Sequence, residues 1–147
     1  MDNITYKYIK YDGKEFEQVI NLRFDVLFKP YGKITKYDYD ELDNISFHLV
    51  AVCENTVVGY SRMTNFNGEG KITNVVVSQD YTKRGIGFEM LKKHIIKAKD
   101  EMIMNLHLNS RLETVNFYEK VGFISIGDTF LSDKSGLILQ EMCFKVS

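Results

Sequence analysis

The 147-residue chain has a single proline, two cysteines and no tryptophan, and its charges nearly cancel at a net charge of −1. A protein that holds nucleic acid by general electrostatic attraction is usually distinctly basic, so this balance argues against a nucleic-acid partner. No apolar run approaches the roughly 20 residues that a membrane-spanning helix needs. The segment Met1–Lys7 contains no apolar signal core, so we expect a cytoplasmic protein.

The cysteines and histidines form no metal-binding pattern. Cys53 and Cys143 are isolated in apolar segments, where buried reduced thiols are expected, and no C-x-x-C pair occurs. His48, His94 and His107 are scattered, and His94 lies on a helical stripe where packing is expected. We therefore expect no metal site. The length suits one domain that spans residues 1–147.

Hydrophobic periodicity predicts strands and helices along the whole chain. The predicted strands are Thr5–Ile9, Phe47–Cys53, Thr56–Met63, Lys71–Val77, Ile103–Leu108, Phe123–Phe130 and Leu137–Val146. The predicted helices run from a cap at Asp12 to about Phe28 before Pro30, from Ile86 to about Lys99, and from a capping box at Ser110–Glu113 to Gly122.

The order of these elements predicts an α/β or α+β protein with a mixed sheet. Three strands joined by short turns in the middle of the chain indicate an antiparallel meander. The last of them, Lys71–Val77, ends in a continuous apolar run, which predicts a strand that is covered on both faces.

The segment after this strand, Thr82-Lys83-Arg84-Gly85-Ile86-Gly87, leads directly into a helix. The first N–H groups of a helix lack intrahelical partners, and the helix dipole favours negative charge there. Gly85 and Gly87 have no Cβ, so a phosphate could approach the backbone closely, and Lys83 and Arg84 add positive charge. The segment therefore predicts a site for a phosphate-bearing cofactor, although a plain left-handed turn without a ligand remains open.

Two common phosphate-binding motifs do not fit this segment. Met90 occupies the third glycine position of the dinucleotide fingerprint G-x-G-x-x-G, and the Gly-Lys-Ser/Thr sequence of a P-loop is absent.

The same segment resembles the acetyl-CoA loop R/Q-x-x-G-x-G/A of the GCN5-related N-acetyltransferases (GNAT). Gly85 and Gly87 match its small residues, whereas Thr82 stands where Arg or Gln is usual. A second segment, Asn116–Phe123, resembles the family's FYEK-x-GF sequence, and the resemblance is strong over about residues 45–131. It implies a GNAT-like, mostly antiparallel sheet of about six or seven strands flanked by helices. It also implies transfer of acetyl from acetyl-CoA to a primary amine of a small molecule or peptide.

The resemblance further implies site residues. Cofactor contacts would come from Val75, Val76, Val77, Thr82, Lys83, Arg84, Gly85, Ile86, Gly87, Phe88, Asn109 and Asn116. Direct attack of the amine on the thioester would form a tetrahedral oxyanion near a backbone N–H around Val77. Tyr118 matches the family's general-acid tyrosine, which protonates the departing thiolate; the alternative for Tyr118 is an aromatic core residue.

The acceptor side is less defined. Tyr37, Glu41 and Asp43 belong to a segment of interleaved tyrosines and acids, which is either a solvated loop or a substrate-facing loop. Carboxylates and aromatic faces attract ammonium groups, so these three residues favour a cationic or polar amine. Candidate bases are Glu41, Asp43 and His48. A non-catalytic acyl-CoA sensor, an interaction domain whose glycines only make turns, and a homodimer all remain open.

Overall fold

The computed structural model describes residues 3–28, 41–133 and 135–147. The seven strands are β1 (Thr5–Ile9), β2 (Ser46–Cys53), β3 (Thr56–Phe66), β4 (Glu69–Val77), β5 (Asn105–Arg111), β6 (Ile124–Leu131) and β7 (Ile138–Lys145). The helices are α1 (Glu15–Arg23), which continues as a π-helix over Phe24–Phe28, α2 (Ile86–Asp100) and α3 (Val115–Val121). Short 3₁₀ turns cover Asp43–Ile45, Gln79–Tyr81 and Leu112–Thr114. The helix stop predicted at Pro30 lies outside the described residues.

The strands form one sheet in the order β1-β2-β3-β4-β5-β7-β6. Within this sheet β4 and β5 are parallel, and the other neighbouring pairs are antiparallel. The predicted mixed sheet and the central meander are therefore confirmed. Strands from both ends of the chain belong to this sheet.

Helices α1 and α2 pack on opposite faces of the sheet. Val50 of β2 lies in a core cluster with Phe16 of α1, whereas its neighbours Leu49 and Ala51 lie in a cluster with Met90 of α2. Successive side chains of a strand point to opposite faces, so the alternation along β2 matches the two helical layers. Helix α3 packs on a third core cluster, which contains Leu91 and Ala98 of α2.

Continuous burial falls on β3 and not on β4, where the apolar run had predicted it. Strand β3 is buried from Val57 to Thr64, while Val75 and Val77 at the end of β4 are half-exposed. The reason is topological, because β4 pairs with β5 only over its first three residues, Glu69 to Lys71.

The two predicted helix caps are wrong in detail. Lys14 occupies the N-cap of α1 without a side-chain hydrogen bond, and Glu15 instead accepts a 2.9 Å hydrogen bond from Lys7 on β1. At the second site, Ser110 remains within β5 and donates to the carbonyl of Arg111 at 2.7 Å. Helix α3 consequently begins only after the 3₁₀ turn.

A buried cluster of charged side chains joins α1 to the meander. The carboxylate of Asp43 accepts two hydrogen bonds of 3.2 Å from the guanidinium of Arg23 and one of 2.9 Å from Arg62. Asp43 and Arg23 are fully buried, and Arg62 is 4% exposed. Arg62 also donates to the hydroxyl of Thr73 at 2.9 Å, which ties β3 to β4.

His94 of α2 is packed in the interior, as its helical stripe predicted. Its Nδ1 lies 3.0 Å from the hydroxyl of Tyr8, and its Nε2 has no hydrogen-bond partner among the described residues. Burial disfavours the charged imidazolium and lowers the pKa of His94 to about 3.

Within the described ranges, no helix combines the length and apolar composition that crossing a bilayer requires.

We expect Asp43→Asn to lower the free energy of unfolding by about 3–5 kcal/mol, because it leaves buried guanidinium charge uncompensated. Urea denaturation measures the loss. Glu101→Gln, which removes an exposed charge 3.5 Å from Lys97 at the end of α2, is the control and should change stability by at most about 0.5 kcal/mol. Equal effects of the two substitutions would contradict a structural role for Asp43.

We expect the free energy of unfolding to fall as the pH drops from about 6.5 towards 3. Over that range the unfolded chain binds a proton at His94 and the folded chain does not, so acid favours unfolding. Burial also lowers the pKa of His48, which adds a contribution of the same sign. His94→Gln should therefore flatten this pH dependence in part, as measured by urea midpoints across the pH range. An unchanged slope would show that His94 does not contribute.

Candidate active site

The two central parallel strands separate soon after they begin to pair. Residues Glu69 to Lys71 of β4 pair with Asn105 to His107 of β5, and no further pairing joins the two strands. Both strands nevertheless continue, to Val77 and Arg111. A wedge-shaped gap therefore opens in the middle of the sheet, and we call it the β4–β5 gap.

Some backbone groups of β4 face this gap. The N–H of Ser78 donates to the carbonyl of Val58 on β3 at 2.7 Å. Since the backbone groups of an antiparallel strand alternate between its two sides, those of Val76 also face β3, and those of Val75 and Val77 face the gap. Of the three valines predicted to pair with pantetheine amides, two are therefore oriented to do so.

A β-bulge bends β4 beside the gap. Tyr60 pairs with Val76 and Arg62 pairs with Thr73, so Ser61 stands opposite both Asn74 and Val75. Asn74 adopts a left-handed backbone with φ of 61°, a conformation that asparagine tolerates better than most residues. This bulge was not predicted, although an asparagine inside an apolar strand, Asn74, is a signal for it.

The end of β4 leads through a short loop to the N-terminus of α2. Gly85 is the N-cap residue with φ of 78°, in the left-handed region that favours glycine, and it contributes no capping side chain. The open N–H groups at this helix start can hydrogen-bond an anion. A Cβ at Gly85 would meet no heavy atom within 4 Å, so the backbone there is accessible.

Gly87 has a packing role that was not predicted. A Cβ on Gly87 would lie 3.2 Å from the ring of Phe117 on α3, so the missing side chain makes room for this ring. Ile86 has a buried side chain that packs beside Met90, which leaves only its backbone available to a ligand.

The polar side chains of the loop partly stabilise the loop itself. Thr82 donates its hydroxyl to the carbonyl of Gln79 at 3.2 Å, and Arg84 donates to the carbonyl of Asp80 at 3.2 Å. The guanidinium of Arg84 also stacks 4.8 Å from the ring centre of Tyr81. Lys83 is exposed, and so is Phe88, which lies 5.7 Å from the ammonium of Lys92.

Tyr118 lies on α3 and is half-buried. Its ring packs edge-on against Phe117 and Phe123, with ring centres 5.0 and 6.1 Å away. Burial raises the pKa of Tyr118 to about 12, an effect that the positive charge of Arg111 partly opposes. The phenol therefore stays protonated throughout the neutral range and has a proton to donate. The packed ring fits the aromatic alternative, and the general-acid role of Tyr118 stays a prediction.

The two asparagines predicted at the cofactor are both exposed. Asn109 is on β5 beyond the last β4–β5 pair, and Asn116 is in the first turn of α3. Asn109 also lines a cavity of about 400 Å³ on the sheet face opposite α2 and α3.

Of the residues predicted on the acceptor side, the structure describes Glu41 and Asp43, and these two differ in exposure. Tyr37 lies outside the described residues, and Glu41 is exposed. Asp43 is buried with both carboxylate oxygens held by arginines, so the expectation that it faces a substrate was wrong. His48 is buried as well, with Nε2 2.6 Å from the carbonyl of Asp43 and Nδ1 2.6 Å from the hydroxyl of Tyr60. Both ring nitrogens are occupied, which removes His48 as a base.

No group of three His, Cys, Asp or Glu side chains in the described ranges could hold a metal ion.

Comparison with known proteins places the chain in a family. The model of the family described as "Acetyltransferase (GNAT) domain" matches residues 29–145. The chain is 26% identical over 129 residues to the uncharacterized N-acetyltransferase YjcF of Bacillus subtilis (strain 168), covering 88% of this chain and 92% of that protein.

Two solved structures share the fold. An aminoglycoside 6'-N-acetyltransferase complexed with coenzyme A superimposes with a TM-score of 0.81 at 13% identity, covering 97% of each chain. A GNAT family acetyltransferase from Elizabethkingia anophelis with acetyl-CoA bound gives a TM-score of 0.74 at 17% identity, covering 99% of each chain. The family model matches most of this chain, so the chain belongs to the GNAT family of acetyltransferases and is an acyltransferase.

Proposed function

We propose that the protein transfers the acetyl group of acetyl-CoA to a primary amine, by direct attack of the amine on the thioester. The observation that carries this proposal is the position of the β4–β5 gap, which opens next to the glycine-capped start of α2. An extended amide-bearing arm can pair with β4 in the gap while its phosphates reach the helix N-terminus. We also infer that residues 1–147 act as one acetyltransferase domain, since strands from both ends of the chain share one sheet.

Each part of the ligand has a partner of suitable chemistry. The backbone groups of Val75 and Val77 face the gap and suit the pantetheine amides. The exposed loop, with Lys83 beside the open N–H groups at Gly85, suits the pyrophosphate. Asn109 on β5, which borders the gap, and Asn116 on α3 are both exposed. Their side-chain amides can donate hydrogen bonds to the pantetheine arm.

Acetyl-CoA supplies an activated acyl group whose carbonyl carbon accepts the amine. The N–H of Val77, which points into the gap, can donate to the oxygen on which negative charge develops. Holding amine and thioester together itself accounts for a large part of the expected acceleration.

Tyr118 is suited to protonate the departing thiolate. A thiol has a pKa of about 8.5, well below that of a buried phenol, so the phenol acts here as a hydrogen-bond and proton donor and never as a base near neutral pH.

The first test is the binding of coenzyme A. A ligand at a hundredfold excess over its dissociation constant should stabilise the fold by about 2.7 kcal/mol, which appears as a raised melting temperature. NAD should give no shift. If coenzyme A also gave none, the proposed cofactor site would be wrong.

A matched pair of glycines isolates the contribution of the helix start. Gly85 and Gly127 both have left-handed φ values, 78° and 68°, and an added Cβ meets nothing within 4 Å at either position. Gly85→Ala and Gly127→Ala should each cost about 1–2 kcal/mol of stability through backbone strain. We expect only Gly85→Ala to weaken coenzyme A binding, measured by calorimetry. Equal affinities in the two variants would place the phosphates elsewhere.

Turnover tests the chemistry. In a thiol-release assay over small amines, polyamines, aminoglycosides and peptides, we expect Tyr118→Phe to lower kcat by roughly 100-fold without abolishing it. The KM for acetyl-CoA should stay within about twofold, because the ring packing is kept. Phe117→Tyr is the comparison variant for Tyr118→Phe, because it adds a phenol at the neighbouring position and keeps that of Tyr118. An unchanged kcat in Tyr118→Phe would exclude the proton-donor role. Coenzyme A binding without turnover of any amine would favour a non-catalytic acyl-CoA sensor.

A further inference from the structure

A group of titratable side chains lines the cavity that contains Asn109. The cavity, of about 400 Å³, is bounded by Glu69 and Lys71 of β4, His107 of β5 and Glu141 of β7, with apolar walls from Phe66 and Phe130. Lys71 and His107 are the last pair that joins β4 to β5, so the cavity begins where the β4–β5 gap opens.

The hydrogen bonds of the cavity define which ring nitrogen of His107 carries the hydrogen. Glu69 accepts a 2.9 Å hydrogen bond from the amide of Asn105 and one of 2.8 Å from Nε2 of His107. These hydrogen bonds lower the pKa of Glu69, so it is ionised near neutral pH and can only accept. Nε2 must therefore carry the hydrogen, and the lone pair of a neutral His107 lies on Nδ1.

The second ring nitrogen of His107 faces another carboxylate. Nδ1 lies 3.9 Å from a carboxylate oxygen of Glu141, which is too long for a direct hydrogen bond. The side chains of His107, Glu69 and Glu141 are 30%, 51% and 48% exposed, so a ligand can reach them. An ammonium group between Nδ1 and Glu141 could contact both.

We propose that this cavity binds the amine acceptor as a primary alkyl ammonium ion and that His107, oriented by Glu69, accepts its proton before attack. Glu141 contacts the ammonium, and the faces of Phe66 and Phe130 suit the attached alkyl chain. This inference rests on the proposed acetyl transfer and names the base and the substrate class for it.

The proton and electron count of the step closes when both nitrogen protons are followed. The ammonium gives one proton to Nδ1 of His107, and the freed nitrogen lone pair forms the N–C bond to the acetyl carbonyl carbon, which leaves a positive charge on nitrogen and a negative charge on oxygen. The C–S bond breaks with its electron pair on sulfur, which takes a proton from Tyr118. The nitrogen loses its second proton as the neutral amide forms, and this proton restores the phenol of Tyr118 through solvent, while His107 releases the first proton to solvent. Tyr118 is a donor in this scheme, and Glu69 is a positioning residue.

Other charged groups of the cavity face His107. Glu69 and Lys71 approach from β4, and Glu141 approaches from β7, where Cys143 stands in register with His107. Burial, together with the charges of Glu69 and Glu141, raises the pKa of the Cys143 thiol, which leaves it neutral near pH 7. With His107 neutral, two negative charges face one positive charge, and this balance favours a cationic ligand.

A binding experiment tests the amine site without turnover. The measurement is proton NMR of the histidine ring C–H signals. The chain has three histidines, so the signals of His107 are assigned as those that disappear from the spectrum of His107→Gln. With coenzyme A bound, we expect n-butylammonium to shift the His107 signals and to leave those of the buried His48 and His94 in place. The matched neutral probe, n-butanol, should shift none of them. Glu141→Gln should weaken the n-butylammonium effect at least tenfold, whereas Glu101→Gln should not.

A pH profile tests the proton transfer. For an alkyl amine that the wild type acetylates, His107→Gln should lower kcat about 100-fold at pH 7. The deficit should shrink towards pH 10, where a large share of an amine with a pKa of about 10.4 arrives already neutral. Glu141→Gln should raise the KM for the amine more than it lowers kcat.

The outcomes separate the two proposals. A wild type that binds no coenzyme A overturns the proposed function. If coenzyme A binds and n-butylammonium leaves the His107 signals in place, the amine site alone is wrong. A His107→Gln variant with wild-type kcat at pH 7 likewise overturns the role of His107 as base.

Discussion

The backbone of β4 constrains the whole central region of the molecule. Beyond Lys71, β4 has a partner on one side and a gap on the other. Backbone N–H and C=O groups need hydrogen-bond partners, so the gap-facing groups of Val75 and Val77 require water or a ligand. A sheet that opens in its interior is thus a pairing surface that no other segment of the described chain fills.

Two groups of charged side chains on one face of the sheet are used differently. The Arg23–Asp43–Arg62 cluster is sealed from solvent, so its hydrogen bonds hold α1 and the meander in place at the cost of removing three charges from water. The Glu69–His107–Glu141 group is accessible, so its charges remain available to a ligand. Burial, and not residue type, distinguishes the structural carboxylate from those that suit a substrate.

The sequence predicted the element order and the left-handed turn at Gly85 that opens α2, because periodicity and glycine spacing are local signals. It could not predict which acids are buried, since Asp43 becomes structural only through arginines 20 residues before it and 19 residues after it in the chain. The His107 cavity was missed for the same reason, as its groups come from three strands and His107 alone is an isolated residue. The first predicted cap failed because Glu15 pairs with Lys7 on β1, and the second failed because Ser110 stays within β5 and donates to the carbonyl of Arg111.

The contact between Gly87 and Phe117 has a mechanical consequence. The ring of Phe117 fills the space above the first turn of α2, and Tyr118 follows it directly on α3. Any displacement of that first turn is thereby transmitted to the phenol through a single aromatic ring. If the proposed function holds, the cofactor contacts at the start of α2 and the position of the Tyr118 phenol are therefore linked by one aromatic ring, although Gly87 and Phe117 are 30 positions apart in the chain.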